Sequence, residues 1–295
     1  MKNTLFRGAA TALATPLNEN GIDFDSLGRL IDFQIEGGIS ALVITGTTGE
    51  SSTLSDQEHK DAISFAVKHT KGRVPVIAGT GSNDTDYAIA LSRFACEAGA
   101  DGLLLVTPYY NKATQKGLIA HFTAIADAVT KPIILYNVPS RTGCNLKPET
   151  VSVLADHPRI VGVKEASGDL SQVATLAHLV GDRIDIYSGN DDQILPVLSL
   201  GGSGVISVLS NVVPRDTDEM CQKFFRGDVE GAKALQLRYL PLIHDLFCEV
   251  NPIPVKAALS AMGYGENRLR LPLTPMEEGS EKRMLEEMKK LNLLF

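Results

Sequence analysis

Cysteine and histidine are scarce in this sequence, and neither is spaced for metal binding. The 295 residues include four cysteines and six histidines. No two cysteines have the Cys-x-x-Cys spacing of zinc and redox sites, and no two histidines form a His-x-His or His-x-x-x-His pair. The sequence therefore predicts no metal site. Well-separated cysteines in a chain of this length fit a reduced, cytoplasmic protein better than a disulfide scaffold.

Long apolar runs and an excess of positive charge are also absent. No run approaches the roughly 18 apolar residues that a membrane-spanning helix needs. The net charge of −7 argues against a nucleic-acid partner, which would call for a basic face. We therefore expect neither membrane nor nucleic acid as a partner, while a local arginine or lysine can still attract an anionic substrate.

Short apolar runs recur along the chain, with amphipathic segments between them. They are rich in Val, Ile and Leu and mostly do not alternate with polar residues, which is typical of parallel strands buried on both faces. The first run follows Lys2 and Arg7 and loosely resembles a signal peptide, but it is short, contains Thr11 and precedes Pro16, so we interpret it as a strand. Eight such runs are present, at 8–14, 41–44, 74–78, 102–106, 132–136, 160–164, 184–188 and 204–208.

The segments between these runs predict helices. Ser55 and Glu58 form a capping-box pattern at the start of one of them. Eight consecutive βα units, without Gly-x-Gly-x-x-Gly after the first strand, favour a (β/α)8 TIM barrel over a doubly wound open sheet. Because the later patterns are all helical, we predict a barrel over 1–225 and a C-terminal helical region over 226–295 that packs on it.

One lysine stands out among the polar residues at the predicted strand ends, where the active sites of such barrels lie. Lys164 ends the apolar run that begins at Ile160. A lysine with a desolvated amino group has a lowered pKa and can attack a carbonyl to form an imine. The alternative interpretation is a structural ion pair between Lys164 and Glu165 or another carboxylate, and the pattern alone does not decide between the two.

Other strand-end residues could assist such a lysine. Tyr136 ends the preceding strand, and neighbouring strands lie roughly 5 Å apart, so its hydroxyl could reach the amino group. Thr47 and Tyr110 are candidates for relaying protons. Arg141 follows in a Pro-Ser-Arg-Thr-Gly turn, and arginine binds carboxylates through two parallel hydrogen bonds. Taken singly, a tyrosine is more commonly a packing residue and a loop arginine more commonly a solvated one.

These residues lie within six motifs that together resemble the dihydrodipicolinate synthase and N-acetylneuraminate lyase family. The similarity runs from about Leu5 to the C-terminus, with the motifs in order and at the family's spacing. Any one motif would be weak, whereas the set is specific. The motifs are Gly46-Thr-Thr-Gly-Glu50, Thr107-Pro-Tyr-Tyr-Asn111, Tyr136-Asn-Val-Pro-Ser-Arg-Thr-Gly143, Gly162-Val-Lys-Glu-Ala166, Gly204-Val-Ile-Ser-Val208 and Asn251-Pro-Ile-Pro-Val-Lys256.

The resemblance implies a Schiff-base mechanism without a metal or an organic cofactor. Lys164 would form the Schiff base with pyruvate, and Tyr136 would relay protons to and from the imine and enamine. Thr47 and Tyr110 would complete the relay, with Tyr110 supplied across a tight dimer interface. The resemblance also implies a homotetramer, which in this family is often arranged as two tight dimers.

The resemblance also implies the substrate contacts. Thr48, Gly189 and Ile206 would hold pyruvate, and Arg141 would bind the carboxylate of the second substrate. Thr47 and Arg141 favour the synthase branch, because sialic-acid lyases usually carry Ser in place of Thr47 and lack the arginine. The expected reaction is the condensation of pyruvate with L-aspartate 4-semialdehyde, on the route to diaminopimelate and lysine. Two alternatives stay open: a pyruvate-dependent lyase acting on a 2-keto-3-deoxy sugar acid or a hydroxy-oxoglutarate, and a silent barrel that only binds a keto acid.

Feedback inhibition by lysine is a separate question that the resemblance raises. Two positions, Asp56 and Tyr87, depart from the lysine site of inhibited members, which carry His and Glu there. The missing Glu removes a carboxylate that would pair with the inhibitor's amino group, so we predict weak or absent inhibition. The positions that match the lysine site are Ser51, His59, Asn83 and Tyr109.

Overall fold

Eight parallel strands form a closed barrel in the structure, a computed structural model that describes residues 2–294. The strands are β1 (Gly8–Ala12), β2 (Ala41–Ile44), β3 (Val76–Gly79), β4 (Gly102–Val106), β5 (Ile133–Asn137), β6 (Ile160–Glu165), β7 (Asp185–Ser188) and β8 (Gly204–Ser207). Each strand pairs with its neighbours along the chain, and β1 closes the barrel by pairing with both β2 and β8. The predicted TIM barrel is confirmed.

The helices surround the barrel, and one of them begins at the capping box that the sequence predicted. Ser55 and Glu58 form the predicted capping box, in which each side chain accepts a hydrogen bond from the other's backbone N–H. The helices are α1 (Phe24–Glu36), α2 (Asp56–Thr70), α3 (Thr85–Glu97), α4 (Gln115–Ala128), α5 (Pro148–Leu154), α6 (Leu170–Val180), α7 (Ile194–Ser199), α8 (Pro214–Phe225), α9 (Val229–Leu246), α10 (Ile253–Ala261) and α11 (Glu278–Lys290). None of the described helices is long and apolar enough to cross a membrane.

Several short elements connect these strands and helices. A small hairpin pairs Leu17–Asn18 with Gly21–Ile22, and a one-turn helix covers Pro139–Thr142 directly after β5. The turns with 3-10 geometry lie at Ser51–Thr53, Asp191–Gln193 and Leu209–Asn211. Each of these elements follows a barrel strand, so they stand at the barrel end where polar side chains were predicted to meet.

The barrel interior is packed at the N-terminal end of the strands. The ring of Phe6 stacks on that of Tyr187 with 4.3 Å between centroids, and the Tyr187 hydroxyl donates to the Phe6 carbonyl oxygen at 2.8 Å. Small and branched side chains such as Ala10, Val43 and Ile134 fill the interior above them. This packed core, which is usual for such barrels, supports the polar side chains that gather at the C-terminal end of the strands.

Helices α9 to α11 follow the barrel and share its core. Tyr239 and Leu242 of α9 and Met284 of α11 are buried in the same hydrophobic cluster as Leu42 of β2 and Val205 of β8. The division predicted from the sequence, between 225 and 226, lies directly after α8 and stays a prediction. The consequence for the site is that residues near α10 approach the barrel mouth.

Candidate active site

A cavity of about 150 Å³ opens at the C-terminal ends of the barrel strands. Its walls come from the turns after β2, β5 and β7 and from the end of β6, so residues far apart in sequence meet there. The structure places six of the predicted site residues in its lining: Thr47, Thr48, Tyr136, Arg141, Lys164 and Gly189.

Lys164 lies in this lining near the end of β6, and 6% of the residue is exposed. Tyr136 is its partner in register on β5. The Nζ of Lys164 lies 4.2 Å from the centroid of the Tyr136 ring. An ammonium over an aromatic face is held by the quadrupole of the ring. The tyrosine ring therefore contacts the amino group in the cavity, and no carboxylate among the described residues forms an ion pair with it.

The structural ion pair between Lys164 and Glu165 is not formed. Consecutive side chains of a strand point to opposite faces, and both oxygens of Glu165 accept hydrogen bonds from other groups. One oxygen accepts the backbone N–H of Ser167 at 2.7 Å, and the other accepts the side-chain amides of Asn137 at 3.0 Å and Gln172 at 3.2 Å. The part of the alternative interpretation that pairs Lys164 with Glu165 in a structural ion pair is therefore wrong.

The charges around the cavity favour an anionic ligand. Arg141 and Lys164 contribute two cationic groups to the lining, which includes no carboxylate among the described residues. Asp191 lies outside this lining, where its Oδ2 accepts the backbone N–H groups of Val208 at 3.0 Å and Leu209 at 2.9 Å. Burial raises the pKa of Asp191, and the positive charge of Lys164 acts in the opposite direction.

Arg141 is carried by the one-turn helix after β5. Its Nη2 donates to the backbone carbonyl oxygen of Asn251 at 3.3 Å, which fixes the guanidinium at the cavity wall. A guanidinium has five N–H donors, so this contact leaves others for a ligand. Arg141 can therefore offer a carboxylate the paired hydrogen bonds that favour such a group.

Gly189 follows β7 at a point where no side chain fits. A Cβ at this position would lie 2.5 Å from the Cβ of Ala166 and 3.1 Å from the Cε of Lys164. A larger residue would displace the lysine stem or push the turn outward. The glycine therefore allows the backbone to approach Lys164 closely.

The turn after β2 brings Thr47 and Thr48 to the opposite wall. Thr45 and Glu50, at its two ends, have φ values of 55° and 54°, in the left-handed region that non-glycine residues seldom adopt. The Oγ1 of Thr48 accepts a hydrogen bond from the Asn251 side-chain amide at 3.0 Å. Contacts from the C-terminal region therefore help to define the shape of this turn.

Two predicted site residues do not reach the cavity of the single chain. Tyr110 is 91% exposed in the loop after β4, with a φ of 68°. Ile206 is 1% exposed and packs in the barrel interior with Ala10 and Tyr136, because its side chain points inward from β8. The predicted role of Tyr110 depends on a second subunit, and that of Ile206 on contact through the floor of the cavity.

Several lining residues were given no role by the sequence, among them Ser140, Phe247 and Asn251. Ser140 lies inside the turn that carries Arg141, while Phe247 and Asn251 come from the segment between α9 and α10. The signal for Asn251 was a polar residue before two prolines, Pro252 and Pro254, in an otherwise helical region. Nothing in the local pattern indicated that this segment approaches the barrel mouth.

A second cavity of about 260 Å³ adjoins the first and shares Thr47 and Arg141 with it. Among the predicted lysine-site residues, Ser51, His59 and Tyr109 line this cavity. The Nε2 of His59 is bonded to the Gly79 carbonyl oxygen at 2.8 Å, and burial lowers the pKa of this histidine. The neutral form of His59 is therefore favoured near pH 7.

The two positions that depart from the lysine-site pattern contact each other. The Tyr87 hydroxyl donates to Asp56 at 3.2 Å, and Lys60 also pairs with this carboxylate at 2.7 Å. Asn83, which matches the pattern, donates to the Tyr109 carbonyl oxygen at 3.2 Å. The only carboxylate of this group is therefore already engaged within the chain.

Comparison with known proteins places this chain in one family. The Dihydrodipicolinate synthetase family profile matches residues 5–291. The chain belongs to the dihydrodipicolinate synthetase family. A 4-hydroxy-tetrahydrodipicolinate synthase from Alkaliphilus oremlandii is 55% identical over 290 residues, which cover 98% of this chain and 100% of the relative.

Solved structures of the family have the same fold. A crystal structure of a dihydrodipicolinate synthase is 49% identical, with a TM-score of 0.96 over 98% of this chain and 100% of that one. A structure described as the first monomeric dihydrodipicolinate synthase variant is 42% identical, with a TM-score of 0.97 over 98% of each chain. The family resemblance inferred from the six motifs is confirmed.

Proposed function

We propose that this chain catalyses the 4-hydroxy-tetrahydrodipicolinate synthase reaction, a lyase activity of diaminopimelate and lysine biosynthesis. Pyruvate would form a Schiff base with Lys164 and then condense with L-aspartate 4-semialdehyde. The observation that carries the proposal is the position of the Lys164 amino group, 4.2 Å from the centroid of the Tyr136 ring in a cavity that Arg141 also lines. The names of the relatives, which are 4-hydroxy-tetrahydrodipicolinate synthases, support it.

The covalent steps start at the Lys164 nitrogen. The uncharged amine attacks the ketone carbon of pyruvate, one water leaves, and an imine forms. Loss of a methyl proton gives an enamine, whose terminal carbon attacks the aldehyde carbon of the second substrate, and the aldehyde oxygen becomes a hydroxyl. The amino group of that substrate then attacks the imine carbon, closes the ring and releases Lys164. Two substrates therefore give one cyclic product and one water.

Hydroxyl groups carry the protons of these steps. The first of three such groups is the hydroxyl of Tyr136, which we assign because the Tyr136 ring packs against the amino group that forms the imine. Thr47 lines the same cavity and supplies the second. The third is Tyr110 from a neighbouring subunit, and its 91% exposure in the single chain supports this assignment. A positioned proton-transfer group of this kind accelerates a reaction by about 10²–10⁴-fold.

The substrate contacts follow from the walls of the cavity. Thr48 and Gly189 hold pyruvate beside Lys164, and Ile206 forms the floor from the barrel interior. Arg141 binds the carboxylate of the semialdehyde, which suits a lining that has cationic groups and, among the described residues, no carboxylate. A sugar acid would need hydroxyl partners in place of this arginine, which is why the synthase reaction is preferred.

Assembly and location complete the proposal. We propose a homotetramer of two tight dimers in the cytoplasm, with the assembly taken from the family resemblance. Tyr109 and Tyr110 are 37% and 91% exposed in the loop after β4, which supports a subunit contact there. A relative with the same fold is described as a monomeric variant, so the subunit number needs its own measurement. Light scattering coupled to size-exclusion chromatography gives the molar mass directly and distinguishes monomer, dimer and tetramer.

Turnover is tested with pyruvate and L-aspartate 4-semialdehyde, coupled to a downstream reductase and followed by loss of NADPH. Lys164→Ala should abolish turnover, while Lys116→Ala, which removes an exposed lysine of α4, should leave it intact. No turnover by the folded parent protein would end the synthase assignment. Cleavage of 2-keto-3-deoxy sugar acids would then be assayed with the same variants.

A further inference from the structure

A buried ion pair joins the turn after β2 to helix α10. The Nζ of Lys256 lies 2.5 Å from Oε1 of Glu50. The two side chains are 3% and 1% exposed. Neither group takes part in the proposed chemistry. Each residue ends one of the six family motifs, but the motifs gave neither of them a role. The pair therefore needs a separate physical explanation.

Stability alone does not explain this pair. Removing two charges from water is costly, and a well-packed apolar pair of similar volume is often as stable or more stable. The cost is visible in Lys256, whose pKa is lowered by burial and raised by the neighbouring Glu50, with burial the larger effect. What an ion pair adds over an apolar pair is a fixed geometry, because both charges must stay in contact.

The geometry that it fixes is that of the turn with Thr47 and Thr48. Glu50 has a φ of 54°, a conformation that surrounding contacts must hold in place. Both of its carboxylate oxygens are bound by the C-terminal region, one by Lys256 at 2.5 Å and the other by the backbone N–H of Arg270 at 3.1 Å. The end of the turn is therefore anchored outside the barrel.

The same region also contacts the opposite wall of the cavity. Asn251, just before α10, donates from its side chain to Thr48 Oγ1 at 3.0 Å and accepts at its carbonyl oxygen from Arg141 at 3.3 Å. A shift of α10 would therefore move both the threonine turn and the arginine. Lys256 lies on this helix and ties its position to Glu50.

We infer that Glu50 and Lys256 are positioning residues of the active site. By anchoring the Thr47–Thr48 turn to α10, their ion pair sets the distance between the two walls that hold pyruvate beside Lys164. The inference rests on the proposed Schiff-base function and adds that the C-terminal helical region defines the geometry of the barrel's site.

The test compares Glu50→Gln, Lys256→Met and the double variant. Each single variant leaves one buried charge without its partner and should lower Tm, whereas the double variant removes both charges and should recover Tm. Borohydride trapping at increasing pyruvate concentrations gives the half-saturating pyruvate concentration. We expect it to rise by about tenfold or more in the double variant, because a displacement of about 1 Å in a site can cost far more than that.

The control is Asp185→Asn, a buried carboxylate at the other end of β7 that accepts from Ser203 at 2.6 Å. It should lower Tm without changing half-saturation by pyruvate. The inference would be overturned if the double variant recovered both Tm and the parent's half-saturation, since the pair would then be structural only. Trapping needs pyruvate alone, so it separates this outcome from failure of the parent to turn over both substrates.

Discussion

Removing the Tyr136 hydroxyl takes one oxygen out of the active-site cavity and keeps the ring on which Lys164 lies. Tyr136 is 6% exposed, and its ring packs in the barrel interior, so Tyr136→Phe preserves the contact of 4.2 Å to Lys164 Nζ. The free energy of unfolding should change by less than about 1 kcal/mol. Loss of the proton relay should lower kcat by about 10²–10⁴-fold, or about 3–5 kcal/mol of activation free energy.

Two assays distinguish the role of the Tyr136 hydroxyl from that of its ring. The coupled assay measures kcat, and borohydride with pyruvate measures imine formation. Tyr136→Phe should trap pyruvate to the same final extent as the parent protein, but more slowly. The matched control is Tyr187→Phe, which removes a hydroxyl that donates to Phe6 at the packed end of the barrel.

The control variant should lose about 0.5–1.5 kcal/mol of unfolding free energy and keep the kcat of the parent. Parent-like turnover by Tyr136→Phe would refute the relay. Equal losses of kcat in Tyr136→Phe and Tyr187→Phe would also count against it, because they would indicate general damage to the barrel interior.

Three further predictions concern the second substrate, acid stability and regulation. Arg141→Met should raise KM for the semialdehyde by about tenfold or more while pyruvate trapping stays unchanged; an unaltered KM would contradict its role. Hydrogen bonds from Arg270 lower the pKa of Glu58 to about 2. Because the pair is partly exposed, it stabilises the folded state by only about 1 kcal/mol. This contribution is complete above the pKa that Glu58 has in the unfolded chain. It disappears as the pH falls through the pKa of Glu58 in the folded protein. Urea melts should therefore show that Glu58→Gln has a lower free energy of unfolding than the parent protein, by an amount that shrinks between about pH 5 and pH 2. A difference that stayed constant over this range would contradict the prediction. Turnover should persist in sub-millimolar L-lysine, because Asp56 and Tyr87 replace the usual His and Glu, and a fall to a small residual rate would overturn that prediction.

The barrel strands were predictable because strands buried on both faces appear in the sequence as short runs of apolar residues. The run from Ile160 to Lys164 corresponds to β6, which extends to Glu165. Ends were less exact: the run predicted from Val74 begins as a strand at Val76, directly after Pro75, which lacks a backbone N–H for the ladder. Helix α2 was predictable from local chemistry, since its capping box needs only Ser55 and Glu58.

The candidate site was predictable where it follows from strand order and not where it depends on tertiary packing. Lys164 and Tyr136 meet because equivalent ends of neighbouring strands must meet. Asn251 reaches the cavity only because α9 and α10 fold back over the barrel, which no local pattern encodes. Tyr110 faces solvent in the single chain, so its predicted role depends on a surface that another subunit would supply.

The proposed function depends above all on Lys164 as the residue that forms an imine with pyruvate. Borohydride reduction in the presence of pyruvate, followed by peptide mass mapping, tests it most directly. We expect one reduced pyruvate adduct, located on Lys164 and absent from Lys164→Ala. An adduct on another lysine, such as the buried Lys256, or turnover without any adduct in the parent protein, would contradict it.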